Sequence, residues 1–128
     1  MRYFSLWLAV AAGGGIGATI RYGVSRLSGR FLGSEFPWGT LFVNVAGSFA
    51  MGVLAAWLLS RSSDSQMLRA FWGVGVLGGF TTFSAFSLET VTLFERKAYA
   101  AAGGYLMTSV ILSVTALLCG LMIGRSAL

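Results

Sequence analysis

Histidine is absent from this 128-residue chain, cysteine and proline occur once each, and only 10% of the residues are charged. Each shortage excludes something. Without histidine the usual neutral-pH proton shuttle and the commonest metal ligand are missing, and no Ser-His-Asp triad can be assembled. One cysteine allows neither an intrachain disulfide nor a cysteine-cluster metal site. Soluble domains carry about 25% charged residues, and a soluble chain of this length would expose apolar patches that such proteins avoid. What the chain holds instead is 56% hydrophobic residues and 18 glycines. That composition argues for a small integral membrane protein, without a metal centre or a Ser-His-Asp triad.

Charge placement divides the chain. Uncharged stretches run from Tyr3 to Ile20, Phe36 to Ser60, Ala70 to Leu88 and Ala98 to Gly124, each long enough to cross a bilayer core as a helix. The charged connectors Arg21–Glu35, Arg61–Arg69 and Glu89–Lys97 are too short to fold alone. The expectation is one all-α domain over 1–128, with four spans at about 3–26, 37–60, 68–95 and 98–124 and both termini on one side. Arg2 and the apolar Phe4–Ala12 have the outline of a secretory signal cleaved near Ala11-Ala12, but the positive region is a single arginine and the apolar run continues. Gly13-Gly14-Gly15-Ile16-Gly17-Ala18 spells a dinucleotide fingerprint without the strand–turn–helix setting that gives it meaning. Close helix packing through Gly13-x-x-x-Gly17 explains it better.

Basic residues are balanced across the membrane. Arg2, Arg61, Arg69 and Arg125 fall on the side of the termini, Arg26, Arg30, Arg96 and Lys97 on the other, with Arg21 at the border. Orientation follows an excess of Lys and Arg in cytoplasmic loops, and here the excess nearly vanishes. The balance favours a chain that inserts both ways up and pairs with an inverted copy of itself, the alternative being one weakly determined orientation. The net charge of +5 calls for anionic lipid headgroups at the span ends, not nucleic acid.

Polar groups inside a membrane serve either helix contacts or a transport path. Thr40, Asn44 and Ser48 in the second span, and Tyr105, Ser109 and Ser113 in the fourth, each repeat at i, i+4, i+8 and so share a helical face. Asn44 suits interhelical bonding and a path equally. In the third span Gly73, Gly75, Gly78 and Gly79 lead into Phe80-Thr81-Thr82-Phe83-Ser84-Ala85-Phe86-Ser87. Paired glycines before β-branched threonines form a weak helix, so a break is expected mid-span, where freed carbonyls can serve an ion. Glu89 terminates that span, and no acid lies deep in the other three. Proton-coupled carriage is thereby disfavoured. Amide and hydroxyl hydrogens, ring edges and the lack of acidic rings suit a small anion in passive flow.

Gly14-Gly15-Ile16-Gly17-Ala18-Thr19-Ile20-Arg21-Tyr22, Gly39–Phe49 and Gly78–Glu89 resemble the signature blocks of the CrcB/Fluc fluoride channels, and the likeness covers the whole chain. It implies an antiparallel, dual-topology homodimer with two fluoride pores in a bacterial inner membrane, giving fluoride resistance. By the resemblance Asn44 donates to fluoride, and Phe83 and Phe86 present ring edges. Ser84, Ser87 and Ser113 supply a polar track with Thr40 and Tyr105 beside it, Arg21 sits at a vestibule, and Glu89 lies near a pore mouth. It also implies a structural Na⁺ at the dimer centre, held by main-chain carbonyls of Gly78 and Thr81. The rival readings are a small dual-topology proton-coupled export carrier and an assembly protein whose polar stripes only join helices.

Overall fold

The computed structural model describes residues 1–61 and 65–128, so part of the connector expected at Arg61–Arg69 lies outside the described residues. In chain order the elements are α1 (Arg2–Leu32), α2 (Trp38–Leu59), α3 (Gln66–Leu68), a π-helical segment (Arg69–Leu77), α4 (Gly78–Phe80), α5 (Phe83–Glu95) and α6 (Tyr99–Ala127). Among the described residues, four helical stretches are long and apolar enough to cross a membrane: α1, α2, the composite Gln66–Glu95 and α6. The chain is thus all-helical, and Phe4, Trp7, Ile16, Leu112 and Ile123 are among the many large apolar side chains on its outside. A helix apolar on every side is at home in lipid.

Two helices run on past the ends of the uncharged stretches, and the first also runs past 26. α1 continues through Arg21, Arg26 and Arg30 to Leu32, so most of the first connector is helix. Long arginine stems can carry their charge outward from a helix that continues past the apolar zone. Gly33, at φ 83°, stops it. Likewise α5 continues past Leu88 to Glu95, which puts Glu89 inside the helix and not at its end. α5 closes on Lys97 in the left-handed region, φ 61°, with Ala98 N–H on the Leu93 carbonyl and Lys97 N–H on Phe94, both at 3.0 Å. This Schellman arrangement satisfies the last carbonyls and turns the chain directly into α6.

Glycine decides which helices meet. α1 lies against the π-helical segment and α4, where a Cβ on Gly13 would stand 3.0 Å from the Val76 nitrogen and one on Gly79 3.2 Å from the Ala18 nitrogen. Gly13 and Gly17 therefore pack backbone to backbone, as their spacing predicts. α2 lies along α6 by the same means: a Cβ on Gly52 would stand 3.1 Å from Gly120 Cα. A small side-chain core of Leu41, Phe86, Leu93, Ala102 and Tyr105 joins α2, α5 and α6.

Candidate functional site

The third span breaks in its middle. α4 ends at Phe80, Thr81 (φ −83°, ψ 158°) and Thr82 (φ −152°, ψ 123°) are extended, and α5 starts at Phe83. The turn before the break is weak for the reason its composition gives, and the two threonines prefer extended backbone. Thr82 then caps α5, its Oγ1 accepting from Ala85 N–H at 3.1 Å. A threonine at an N-cap is the sequence signal that points to this role.

Asn44 of α2 grips the break at two points. Its Nδ2 donates to the Thr82 carbonyl at 3.0 Å, and its Oδ1 accepts from Thr82 N–H at 2.8 Å. In an unbroken helix the Thr82 N–H would close on the Gly78 carbonyl and the Ala85 N–H on Thr81. Both donors are diverted, to Asn44 and to the Thr82 hydroxyl respectively. The carbonyls of Gly78 and Thr81 are thus released from the helical ladder. Two other carbonyls are occupied: Leu77 accepts from both the N–H and the hydroxyl of Thr81, and Gly79 accepts from Arg21 Nε at 3.0 Å. Arg21, expected at a vestibule, reaches here to the last turn before the break.

The two hydroxyl stripes face α5 from either side. At one end Thr40 donates to Glu89 Oε1 at 2.7 Å and Tyr105 to Oε2 at 3.0 Å. Glu89 is therefore tied to α2 and α6 through both oxygens. It also floors an outer hollow of about 220 Å³ beside the α1–α2 turn, with Ser25, Ser28 and Ser34 on the walls. Tyr105 is fully buried, with Phe36 edge-on at 5.4 Å and Phe86 at 5.3 Å between ring centres.

Beyond that cluster lies an open cavity of about 310 Å³. Asn44 and Ser48 form its α2 wall, Thr81 and Thr82 bring the break to it, and Phe83 and Phe86 come from α5. Ser109 and Ser113, with Val110 and Val114, close the α6 side. The hydroxyl oxygens of Ser109 and Ser113 are buried without a hydrogen-bond partner among the described residues. A buried hydroxyl without a partner is costly, so this pair asks for a ligand. Phe86 is buried, whereas Phe83, 5.5 Å from it between ring centres, stands 77% exposed on the open side.

The expected residues thus fall into groups. Asn44, Phe83, Phe86 and Ser113 meet at the cavity. Thr40, Tyr105 and Glu89 form the hydroxyl–carboxylate cluster next to it. Ser87 spends its hydroxyl on the Phe83 carbonyl one turn back, at 2.9 Å, and Ser84 is exposed with its hydroxyl 3.3 Å from that of Thr82. Neither is on the cavity wall of this chain. Ser109, known from its stripe alone, is.

Such features define a class: a multi-pass helical membrane protein whose broken span borders a cavity of neutral hydrogen-bond donors. Residues 8–121 match the family described as CrcB-like protein, Camphor Resistance (CrcB), and the chain belongs to that family. It is 53% identical over 119 residues to the fluoride-specific ion channel FluC of Caulobacter sp. (strain K31), covering 92% of this chain and 93% of the relative. Against the protein of that name from Paracoccus denitrificans it is 54% identical over 119 residues, covering 93% and 94%. With that from Rhodospirillum centenum the figures are 53% over 120 residues, 94% and 95%.

Proposed function

We propose that this chain is a fluoride-selective passive ion channel that lets cytoplasmic fluoride out of a bacterium across its inner membrane and so gives fluoride resistance. The observation that carries the reading is the cavity beside the break, whose polar lining is an amide and hydroxyls. Asn44 uses one N–H on Thr82, and an amide nitrogen has two, so one N–H is left for an anion. The unpartnered hydroxyls of Ser109 and Ser113 and the rings of Phe83 and Phe86 offer further positive edges. Together they replace part of the ion's water with neutral donors, which bind it weakly enough for it to leave. Ser84 continues the polar track along α5, Ser87 follows it with its hydroxyl already given to the Phe83 carbonyl, and Thr40 and Tyr105 hold Glu89 near one mouth. Arg21 contributes positive potential. An inside-negative potential expels an anion by about 2.3 kcal/mol per 100 mV, so no coupled proton is needed.

The working unit in this reading is an antiparallel, dual-topology homodimer. The near-equal distribution of basic residues removes the bias that selects one orientation. The exposed Phe83, the exposed Ser84 and the open side of the cavity support a second copy as cover, since hydrocarbon leaves hydroxyls unsatisfied. A structural Na⁺ fits the carbonyls of Gly78 and Thr81, because hard cations take oxygen ligands and both have lost their helical donors. Bound there, the ion supplies positive charge to oxygens that would otherwise be unpaired in the membrane. The test is efflux from liposomes holding the purified chain. Fluoride released without a proton gradient, with chloride retained, is the expected result. Release that requires a proton gradient would establish a carrier, and no release would establish an assembly role.

A further inference from the structure

We propose that Asn44 is the positioning residue of the break: its amide draws the Thr82 peptide out of the helical ladder and so keeps the Gly78 carbonyl free for a cation. The inference rests on the sodium reading above for the identity of the cation, but the clamp itself rests on hydrogen bonds. A planar carboxamide presents one acceptor and one donor side by side, and the Thr82 peptide presents the complementary pair. Both bonds form, at 2.8 and 3.0 Å. No other asparagine occurs in the chain. Aspartate could accept from the Thr82 N–H but would leave the Thr82 carbonyl without a donor. Glutamine would place its amide one methylene too far out.

The carbonyls around Gly78 reinforce the point. Leu77 already receives the Thr81 N–H and hydroxyl, and Gly79 receives Arg21. Gly78 lies between them, and its helical donor has been taken away by Asn44 alone. Without the clamp, the Thr82 N–H is free to return to the Gly78 carbonyl and close the turn, which fills the oxygen that a cation needs. The same amide also lines the cavity and keeps one N–H for it. A single side chain therefore joins the anion path to the cation centre mechanically, across the break.

Two measurements on the full-length chain test this. Carbon chemical shifts of Thr82, read by NMR in micelles or bilayers, report whether its backbone is extended or helical. The sodium concentration giving half of the maximal thermal stabilisation reports the cation centre without any need for flux. In the unaltered chain Thr82 reads as extended. In Asn44→Ala it moves to helical values and the sodium midpoint rises about tenfold, the scale set by losing two hydrogen bonds. Asn44→Asp, which keeps the acceptor, falls between the two and serves if Asn44→Ala does not fold. Ser109→Ala touches the cavity but not the break and keeps the original midpoint. An extended Thr82 in both Asn44 variants overturns the clamp. A helical Thr82 with an unmoved midpoint, or an equal rise in Ser109→Ala, overturns the link to the cation. If sodium does not stabilise even the unaltered chain, the sodium reading falls and the link with it, while the Thr82 shifts still decide the clamp.

Discussion

The two halves of the third span solve different problems with adjacent stretches of one sequence. The first half, from Arg69 to Phe80, presses its backbone onto α1, with Gly75 against Gly13, Gly79 against Gly14 and Ala18, and Gly17 against Val76 and Phe80, and side chains hardly enter the contact. The second half, α5, meets α2 and α6 through Thr82, Glu89 and Phe86, and leaves a cavity beside it. In a bilayer, where apolar burial between helices gains little, close backbone approach is the main source of cohesion. The glycine-packed half therefore anchors the bundle, and the anchored half lets the other remain polar and incompletely filled. The break at Thr81–Thr82 is the junction at which that change occurs.

The contrast can be broken most severely on the anchored side. Gly17→Val would drive a side chain into the Val76 carbonyl and the Phe80 nitrogen. It should cost about 3 kcal/mol or more, read as loss of the folded, monodisperse protein or a large fall in unfolding temperature. On the open side a comparable change in volume should spare the fold and strike transport. Phe83→Ile is expected to lower fluoride efflux from liposomes about tenfold, the scale of one aromatic interaction, while the unfolding temperature stays close to the original. Equal damage to fold and flux in that variant would erase the distinction between the halves.

Ser109→Ala sharpens the comparison further. Removing a buried hydroxyl that lacks a partner should raise stability by about 1 kcal/mol in chemical or thermal unfolding, and reduce fluoride efflux at the same time. A variant that is less stable and conducts normally would make the hydroxyl structural. The smallest effect is expected at Gly29, whose added Cβ meets nothing within 4 Å. Gly29→Ala should stabilise α1 by about 0.5 kcal/mol by restricting the unfolded chain, which confirms that glycine matters in this protein by contact and not by number.

Much of this was legible in the order of residues, for local reasons. Four uncharged runs mark four spans because length and polarity alone decide what a bilayer admits. Gly78-Gly79 followed by Thr81-Thr82 marks the break because helix propensity is a nearby property. The Gly13–Gly17 pair could be seen to seek a close neighbour. The π winding of Arg69–Leu77 was not visible, because no residue pattern in that stretch marks it. Nor was the pairing of Gly52 with Gly120, since a small residue does not name its partner.

The amino-acid order by itself determined a membrane-spanning, all-helical chain with a fault in its third span and hydroxyls on matched faces of the second and fourth. Those properties follow from hydropathy, periodicity and propensity, all summed over neighbours in sequence. Only the tertiary structure decided that Asn44 holds the Thr82 peptide, that Glu89 is tied by Thr40 and Tyr105, and that Ser109 and Ser113 turn to the cavity while Ser87 turns back on its own helix. A polar side chain in a membrane takes whichever partner lies within about 3 Å, and that distance is set by packing between elements far apart in the chain.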